Sequence, residues 1–551
     1  MRKLISAAAA ITLGIGLAAT GVATAAPQHH QQRPHHHDHG NHGQPGYTPP
    51  PITWGECPTA SLRNAGATCG MLTVPLDYDK PRGEKIQLAV SKIAHKTSDA
   101  AAQGPMLVNP GGPGGSGLGL ARLGASVPKG GGDPYDWIGF DPRGVGRSVP
   151  SLSCDPDYFA AGRPAYVPDR PGIREYWWAK ASSYADDCAA AGGKLLRHTH
   201  TTDWVQDMDT IRKALGASKI NFYGFSYGTY LAQVYATKYP DRVRRFVLDG
   251  VVNPTDVWYD ANLEQEKQFD KNINTFFDWI AENDAAYGLG TDGDAVRDIY
   301  YDVLDQLTDA PLTEAGKPDF GASDWNDVFV GAAYYVYDWD GVAHVLVAAA
   351  AGDLGPAKEY YGDPTGPGSD NTFANYLAVQ CTDAPWPSKW KTWEKDAWRI
   401  HSYAPFLAWN NTWYNTPCLD WAAPSSRPVD VKGKRAPGML LIAETEDAAT
   451  PYEGALEVRK RFPRSVLIEG VGGTTHSGSL SGIACTDDRI ADYLLTGALP
   501  ARVRGNRSDV QCEPVPPPEA TAPSAAARKS AAAQDRLGKL RDLITAAQLK
   551  R

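Results

Sequence analysis

The sequence predicts an α/β fold in which a mostly helical segment is inserted into a mostly parallel sheet, and three observations lead there. Buried-type apolar strands are read at 105–108, 219–223, 243–248, 438–443 and 466–468, in two blocks. The strand at 219–223 runs through a glycine turn directly into a helical pattern at 230–236. Between the two blocks, residues 255–430 are rich in helical patterns and aromatics, such as Phe276-Phe277-Asp278-Trp279-Ile280 and the run from Trp386 to Trp393.

The turn after the strand at 219–223 reads Gly224-Phe225-Ser226-Tyr227-Gly228, the chain's only G-x-S-x-G. A serine squeezed between strand and helix sits on a sharp bend that needs small flanking residues. Its hydroxyl then stands above the sheet edge, over a helix N-terminus. The strand–turn–helix setting makes Ser226 a nucleophile on the elbow of an α/β-hydrolase fold. The bland alternative is an ordinary glycine turn, since the chain has 55 glycines.

A serine nucleophile needs a base and an acid to orient that base, and in this fold acid and then histidine follow the serine. Seven of the 13 histidines lie between His29 and His42, in a polar tract without a core-forming pattern. His95, His198 and His200 precede Ser226. His344 sits in an apolar alanine-rich helix and His401 in a tryptophan-rich segment. His476, on the glycine-rich loop after the strand at 466–468, is the expected base. The acid should end the preceding strand, which runs into Glu444-Thr445-Glu446-Asp447. Spacing does not choose among these three carboxylates. Asp447, before a small-residue turn and Pro451, is preferred, and Asp249 at the end of 243–248 is the rival.

The tetrahedral intermediate requires backbone N–H donors. One is the amide of Tyr227. The second is expected from Asn109-Pro110-Gly111-Gly112-Pro113-Gly114-Gly115, after the strand at 105–108, with Gly112 favoured and Gly111 next. That loop lacks the Lys-Ser/Thr ending of a phosphate loop and has too many prolines for a dinucleotide fingerprint. No cofactor is therefore expected, and no Cys or His spacing suggests a metal.

These segments resemble the prolyl-aminopeptidase type of α/β-hydrolase: the elbow, Pro110-Gly111-Gly112-Pro113-Gly114, Asp141 to Ser148, and T-E-D-A-A-T-P from Thr445. More closely, the chain resembles the secreted tripeptidyl aminopeptidases of actinobacteria, from Trp54 to Cys512. The likeness includes V-W-Y-D-A-N-L-E-Q-E from Val257, C-T-D-A-P-W-P from Cys381 and D-Y-L-L-T-G from Asp492. Ser226, Asp447 and His476 fall on the triad positions of that family. Pro110 replaces the histidine that opens the motif in prolyl aminopeptidases, and the Thr474–Ser477 loop differs slightly from the family's shorter form. The resemblance implies a serine exopeptidase acting on peptide or protein N-termini. Releasing tripeptides means measuring about 10 Å of extended chain from free amine to scissile carbonyl. Lid carboxylates Glu264, Glu266 and Asp383 are the candidates to hold that ammonium.

Apolar content of 42% and 10% aromatics are those of a globular protein. A formal net charge of −9 argues against nucleic acid or anionic membrane as the main partner. Residues 1–25 read as a secretory signal peptide, with Ala23-Thr24-Ala25 as the cleavage site. No later stretch is long and apolar enough to span a membrane. A secreted, extracellular monomer is expected. Eight cysteines, Cys57, Cys69, Cys154, Cys188, Cys381, Cys418, Cys485 and Cys512, suggest four disulfides. Sequential pairing keeps each bridge within one unit, although the sequence alone does not determine connectivity.

The remaining organisation follows. Residues 26–52 are a His/Pro-rich disordered or propeptide segment. Residues 53–254 and 431–513 form the two parts of the hydrolase core, with 255–430 as the lid between them. Residues 514–551 are a Pro/Ala-rich tail with a short apolar stripe at Leu537, Leu540 and Ile544, expected to be weakly helical and solvated, and deletion of 520–551 is expected to leave catalysis untouched. A lipase or esterase on the same fold, and a non-catalytic hydrolase-like binding protein, are the competing functions.

Overall fold

The structure, a computed structural model, describes residues 47–316 and 318–522. The signal peptide, the histidine tract and the tail from residue 523, including its apolar stripe, lie outside the described residues. Ten strands form one sheet: β1 (Gly55–Glu56), β2 (Thr68–Pro75), β3 (Lys85–Ile93), β4 (Pro105–Asn109), β5 (Asp136–Phe140), β6 (Ile220–Phe225), β7 (Val243–Asp249), β8 (Leu440–Glu444), β9 (Val466–Gly470) and β10 (Val510–Cys512). Their order is β1-β2-β3-β5-β4-β6-β7-β8-β9-β10. The β1–β2, β2–β3 and β3–β5 pairs are antiparallel, and every pair from β5 onward is parallel.

The central strands are apolar along their whole length because both faces are covered. Phe222 of β6 and Leu107 of β4 face one core cluster, while Tyr223, Phe225, Met106 and Val108 face the other. The helix after the elbow, Tyr227–Lys238, is buried from Tyr227 through Ala236, so its apolar residues need no amphipathic pattern.

The lid fills the interval between β7 and β8. Its first helix, Tyr259–Glu282, places Phe269, Ile273, Phe276, Phe277 and Ile280 at helical spacing on one buried face. That face meets Tyr300, Trp325, Phe329 and Trp339 from the next helices in a separate apolar cluster. Two elements depart from the expected division. Helix Asn371–Asp383, inside the lid range, packs Phe373, Ala374 and Leu377 on the sheet's own core. Conversely, Ala165, Ile173 and Trp177 from the first core block pack into the lid. Aromatic complementarity, not chain position, sets the boundary.

The cysteines form four disulfides, Cys57–Cys69, Cys154–Cys188, Cys381–Cys418 and Cys485–Cys512. The Asp141 to Ser148 segment owes its composition to packing. Arg143, fully buried, binds both carboxylate oxygens of Asp207 at 2.7 Å and donates to the carbonyls of Pro75, Leu76 and His198.

Both flanking segments are tied down further than expected. Tyr47 donates to the Thr73 carbonyl at 2.9 Å, and Ile52 is buried in the sheet core, so order begins before residue 53. At the other end, Val515 is buried in the lid cluster beside Gly478. Thr521 donates through its amide and hydroxyl to the Asp340 carboxylate at 3.0 and 2.8 Å. The start of the tail is thus a strap from core to lid. Among the described residues, no helix is long and apolar enough to cross a membrane.

Candidate active site

Ser226 joins β6 to helix Tyr227–Lys238 with φ 54° and ψ −127°, a sparsely populated conformation for a side-chain-bearing residue. The bend is held by the Ser226 amide donating to the Asp249 carbonyl at 2.9 Å and by Thr229 Oγ1 donating to the Ser226 carbonyl at 2.7 Å. Gly228 is required by close approach, because a Cβ there would stand 2.8 Å from the Asn109 carbonyl oxygen. The helix N-terminus lies beneath the hydroxyl.

His476 lies on the loop after β9. Its amide donates to the Tyr334 carbonyl at 2.9 Å, and the rings of Tyr334 and Tyr335 lie 5.8 and 6.3 Å from the imidazole. Nδ1 lies 2.8 and 3.0 Å from the two oxygens of Asp447, in a contact that is almost fully buried. Asp447 also accepts from the amides of Ala449 and Thr450 at 2.9 and 3.0 Å and from Thr450 Oγ1 at 2.8 Å. A carboxylate can only accept, so Nδ1 carries a proton, and Nε2 is the nitrogen whose lone pair serves as base in the neutral ring. Thr450, whose hydroxyl lies 3.4 Å from Nδ1 while it donates to Asp447, is the second threonine of the T-E-D-A-A-T-P segment and is not singled out there. The Ser226 hydroxyl makes no hydrogen bond among the described residues, and such contacts commonly tighten only when substrate binds.

The structure sorts the other carboxylates. Asp249 uses Oδ2 to accept from the Ser479 amide at 2.8 Å. Burial pushes its carboxyl up to about 6. Glu446 pairs with Lys271 of the lid at 2.5 Å. Glu444 is buried beneath the His476 loop and accepts from the Val515 amide at 3.4 Å. Burial first, then the charges of Asp249 and Asp447, push its carboxyl up to about 8.

A cavity of about 540 Å³ opens beside Ser226, with Gly112 and Tyr227 in its wall. Gly111 differs from Gly112: its amide is spent on Asn109 Oδ1 at 3.0 Å. The cavity lining includes the exposed carboxylates Asp260, Glu264 and Glu453. It also includes buried Asp327, Val330, Leu407 and Asn410 of the lid. Arg163 pairs with both Asp324, at 3.0 Å, and Asp327, at 2.7 Å, so one guanidinium serves two carboxyl groups.

Of the three acids expected at the substrate amine, only Glu264 lines this cavity, and it pairs with Lys267 at 2.5 Å. Glu266 is buried outside the lining and accepts from Asn411 at 3.2 Å. Burial holds its carboxyl well above the usual range. Asp383 is buried outside the lining and accepts from the Thr201 amide at 2.7 Å, from Thr201 Oγ1 at 2.5 Å and from the Trp258 indole at 3.3 Å.

Comparison with known proteins agrees with this architecture. A family described as alpha/beta hydrolase fold matches residues 104–291, and one described as TAP-like protein matches residues 404–512. A tripeptidyl aminopeptidase of Streptomyces coelicolor is 39% identical over 482 residues, covering 84% of this chain and 86% of that protein. The serine protease Hip1 of Mycobacterium tuberculosis is 30% identical over 478 residues, covering 82% of this chain and 90% of its own. A protein of the same organism named carboxylesterase B is 29% identical over 473 residues, covering 82% and 89%.

Proposed function

Because this chain belongs to the family of the tripeptidyl aminopeptidases, serine peptidases on the α/β-hydrolase fold, we propose that it is a secreted exopeptidase releasing tripeptides from free N-termini. The observation that carries this reading is the cavity at Ser226, whose lining runs from exposed Asp260, Glu264 and Glu453 to buried Asp327 and Asn410. A long substrate must leave its C-terminal portion in solvent, beside the exposed carboxylates. Only a short N-terminal piece then fits towards the buried part of the lining, where Asp327 is the carboxylate and one Arg163 guanidinium serves two carboxyl groups. Asp327, rather than Glu264, is therefore assigned the substrate ammonium.

In the reaction, Nε2 of His476 takes the proton of Ser226 Oγ as Oγ bonds to the scissile carbonyl carbon. The amides of Tyr227 and Gly112 donate to the oxyanion. Collapse breaks the C–N bond, and His476 passes its proton to the leaving amine. Water, deprotonated in turn by His476, then cleaves the acyl-enzyme and returns Ser226 to its hydroxyl form. Asp447 holds the imidazole in the required tautomer throughout. The signal-like first 25 residues and the four disulfides support secretion.

The relative named carboxylesterase B keeps ester cleavage as the second reading. Mass spectrometry of products from an unblocked octapeptide and its N-acetylated form separates the two. Tripeptide release from the free peptide, slowed at least about tenfold by acetylation, is expected, since a lost charged contact costs about 1.5–3 kcal/mol. Equal rates on both, or single residues as the main product, reject the exopeptidase reading, and fast turnover of simple esters alone selects the second.

A further inference from the structure

The first lid helix, Tyr259–Glu282, holds both loops that carry the acid and the base. Gln265, Gln268 and Asn272 follow one another along it at spacings of three and four residues, which sets their side chains on one face. All three are amides, and all three donate to backbone carbonyls at the site. Gln265 Nε2 donates to the Ala449 carbonyl at 2.6 Å. Gln268 Nε2 lies 3.3 Å from the Glu446 carbonyl and 3.2 Å from Asn272 Oδ1. Asn272 Nδ2 faces three carbonyls, those of Glu446 at 2.9 Å, Ala333 at 3.3 Å and Thr474 at 3.4 Å.

These carbonyls flank the catalytic groups. Glu446 precedes Asp447, and Thr474 lies two positions before His476. Ala333 precedes Tyr334, whose own carbonyl accepts the His476 amide. Ala449 gives its amide to Asp447 and its carbonyl to Gln265. Among the described residues, no backbone N–H donates to the carbonyls of Glu446, Ala449 or Thr474. Backbone carbonyls withdrawn from water need donors, and here the lid helix supplies them. Asn272 is 1% exposed, so its bonds are shielded from solvent. The core ties the two loops on one side, through the Glu446 amide on the Gly473 carbonyl at 2.8 Å. Asn272 closes the other side.

We propose that Asn272 is a positioning residue for the Asp447–His476 pair, extended along the helix by Gln268 and Gln265. The helix that lines the cavity with Gln265 thereby also sets the spacing of acid and base. This rests on the reading of Ser226, Asp447 and His476 as the triad.

The test is hydrolysis of an unblocked peptide together with the rate of fluorophosphonate labelling, for Asn272→Leu, Gln268→Met and Phe277→Leu. Leucine and methionine keep roughly the size of the amides without a donor. Asn272→Leu should lower kcat by about thirtyfold or more, and Gln268→Met by about threefold to tenfold, because small misplacements of catalytic groups are costly. KM should stay within about twofold of its normal value, since no cavity-lining side chain changes. Labelling should slow in parallel, and the downfield proton NMR resonance of the proton between His476 and Asp447 should broaden or vanish in Asn272→Leu. Phe277→Leu alters only the helix's apolar contacts inside the lid. It should lower the melting temperature and leave kcat unchanged. Should Asn272→Leu not fold, Gln268→Met compared with Phe277→Leu decides. Normal kcat in the folded amide variants overturns the proposal. An equal loss of kcat in Phe277→Leu also overturns it, because the helix would then act only as a support. Labelling of the unaltered protein at a rate that no variant changes rejects the positioning role alone, whereas an unaltered protein that is never labelled rejects the triad reading and this role with it.

Discussion

Gly250 lies against the imidazole of His476: a Cβ at position 250 would stand 2.9 Å from Cε1 and 3.2 Å from Nδ1. Gly250 follows β7 with φ +68°. The end of one strand thereby sets how close the ring of another loop can sit, across more than two hundred residues of chain. Gly250→Ala should keep the fold at a cost of about 1–2 kcal/mol for the left-handed conformation while lowering kcat by about a hundredfold or more through a displaced base. Parallel measurement of melting temperature and kcat separates these effects, and near-normal kcat would show that the ring tolerates displacement.

Ser226→Ala should fold normally and lose turnover, because no acyl-enzyme forms. Labelling by a fluorophosphonate should disappear with it. Persistent peptidase activity in a clean preparation would remove Ser226 from the mechanism.

Asp447→Asn should cost on the order of 10⁴ in rate by allowing the wrong imidazole tautomer. Asp249→Asn should cost far less, since Asp249 bonds the Ser479 amide and not the imidazole. A larger loss at Asp249 would reverse the assignment of the acid.

Glu444 gives the protein a signature in stability against pH. Its carboxyl, with an ordinary value of 4.5, is pushed up to about 8. Between these values the folded chain holds a proton that the unfolded chain has released. Stability therefore falls as pH rises through that window and levels off above about 8. Glu444→Gln, which stays neutral, should match the wild type near pH 4.5 and exceed its melting temperature increasingly towards pH 8. Parallel melting curves across the range would show that Glu444 is not the group responsible.

The tail from residue 520 reads as dispensable from its composition, yet the strap that leads into it after Cys512 packs beside His476 and reaches the lid. Pro514 packs at Gly473 and Val515 at Gly478, on either side of His476, and Thr521 is anchored on Asp340. Truncation after Glu513 should lower stability by roughly 2 kcal/mol through lost burial of Val515 alone. It should also reduce kcat, with Asp340→Asn a milder version. An unchanged rate and melting temperature in the truncated protein would show the strap to be passive.

The local features are legible in the linear chain. A strand running into Gly-x-Ser-x-Gly and then a helix specifies its own bend, because the sterics act over ten residues. The order of serine, acid and histidine, and the even set of cysteines, are likewise properties of the sequence alone. The tertiary structure decided whatever depends on packing between distant segments. Glu444, Glu446 and Asp447 are equivalent by spacing, but the twist after β8 buries the first, sends the second to Lys271 and turns the third to His476. Glu264 and Glu266 lie two residues apart on one helix, hence about 200° apart around its axis, so one faces the cavity and the other the lid interior. Asp327, which no local pattern marked, reaches the cavity because Arg163, from the first core block, draws it into a buried charge group. Sequence encodes which side chains exist and their local bends, whereas contacts across more than a hundred residues are chosen by burial and charge pairing in the folded chain.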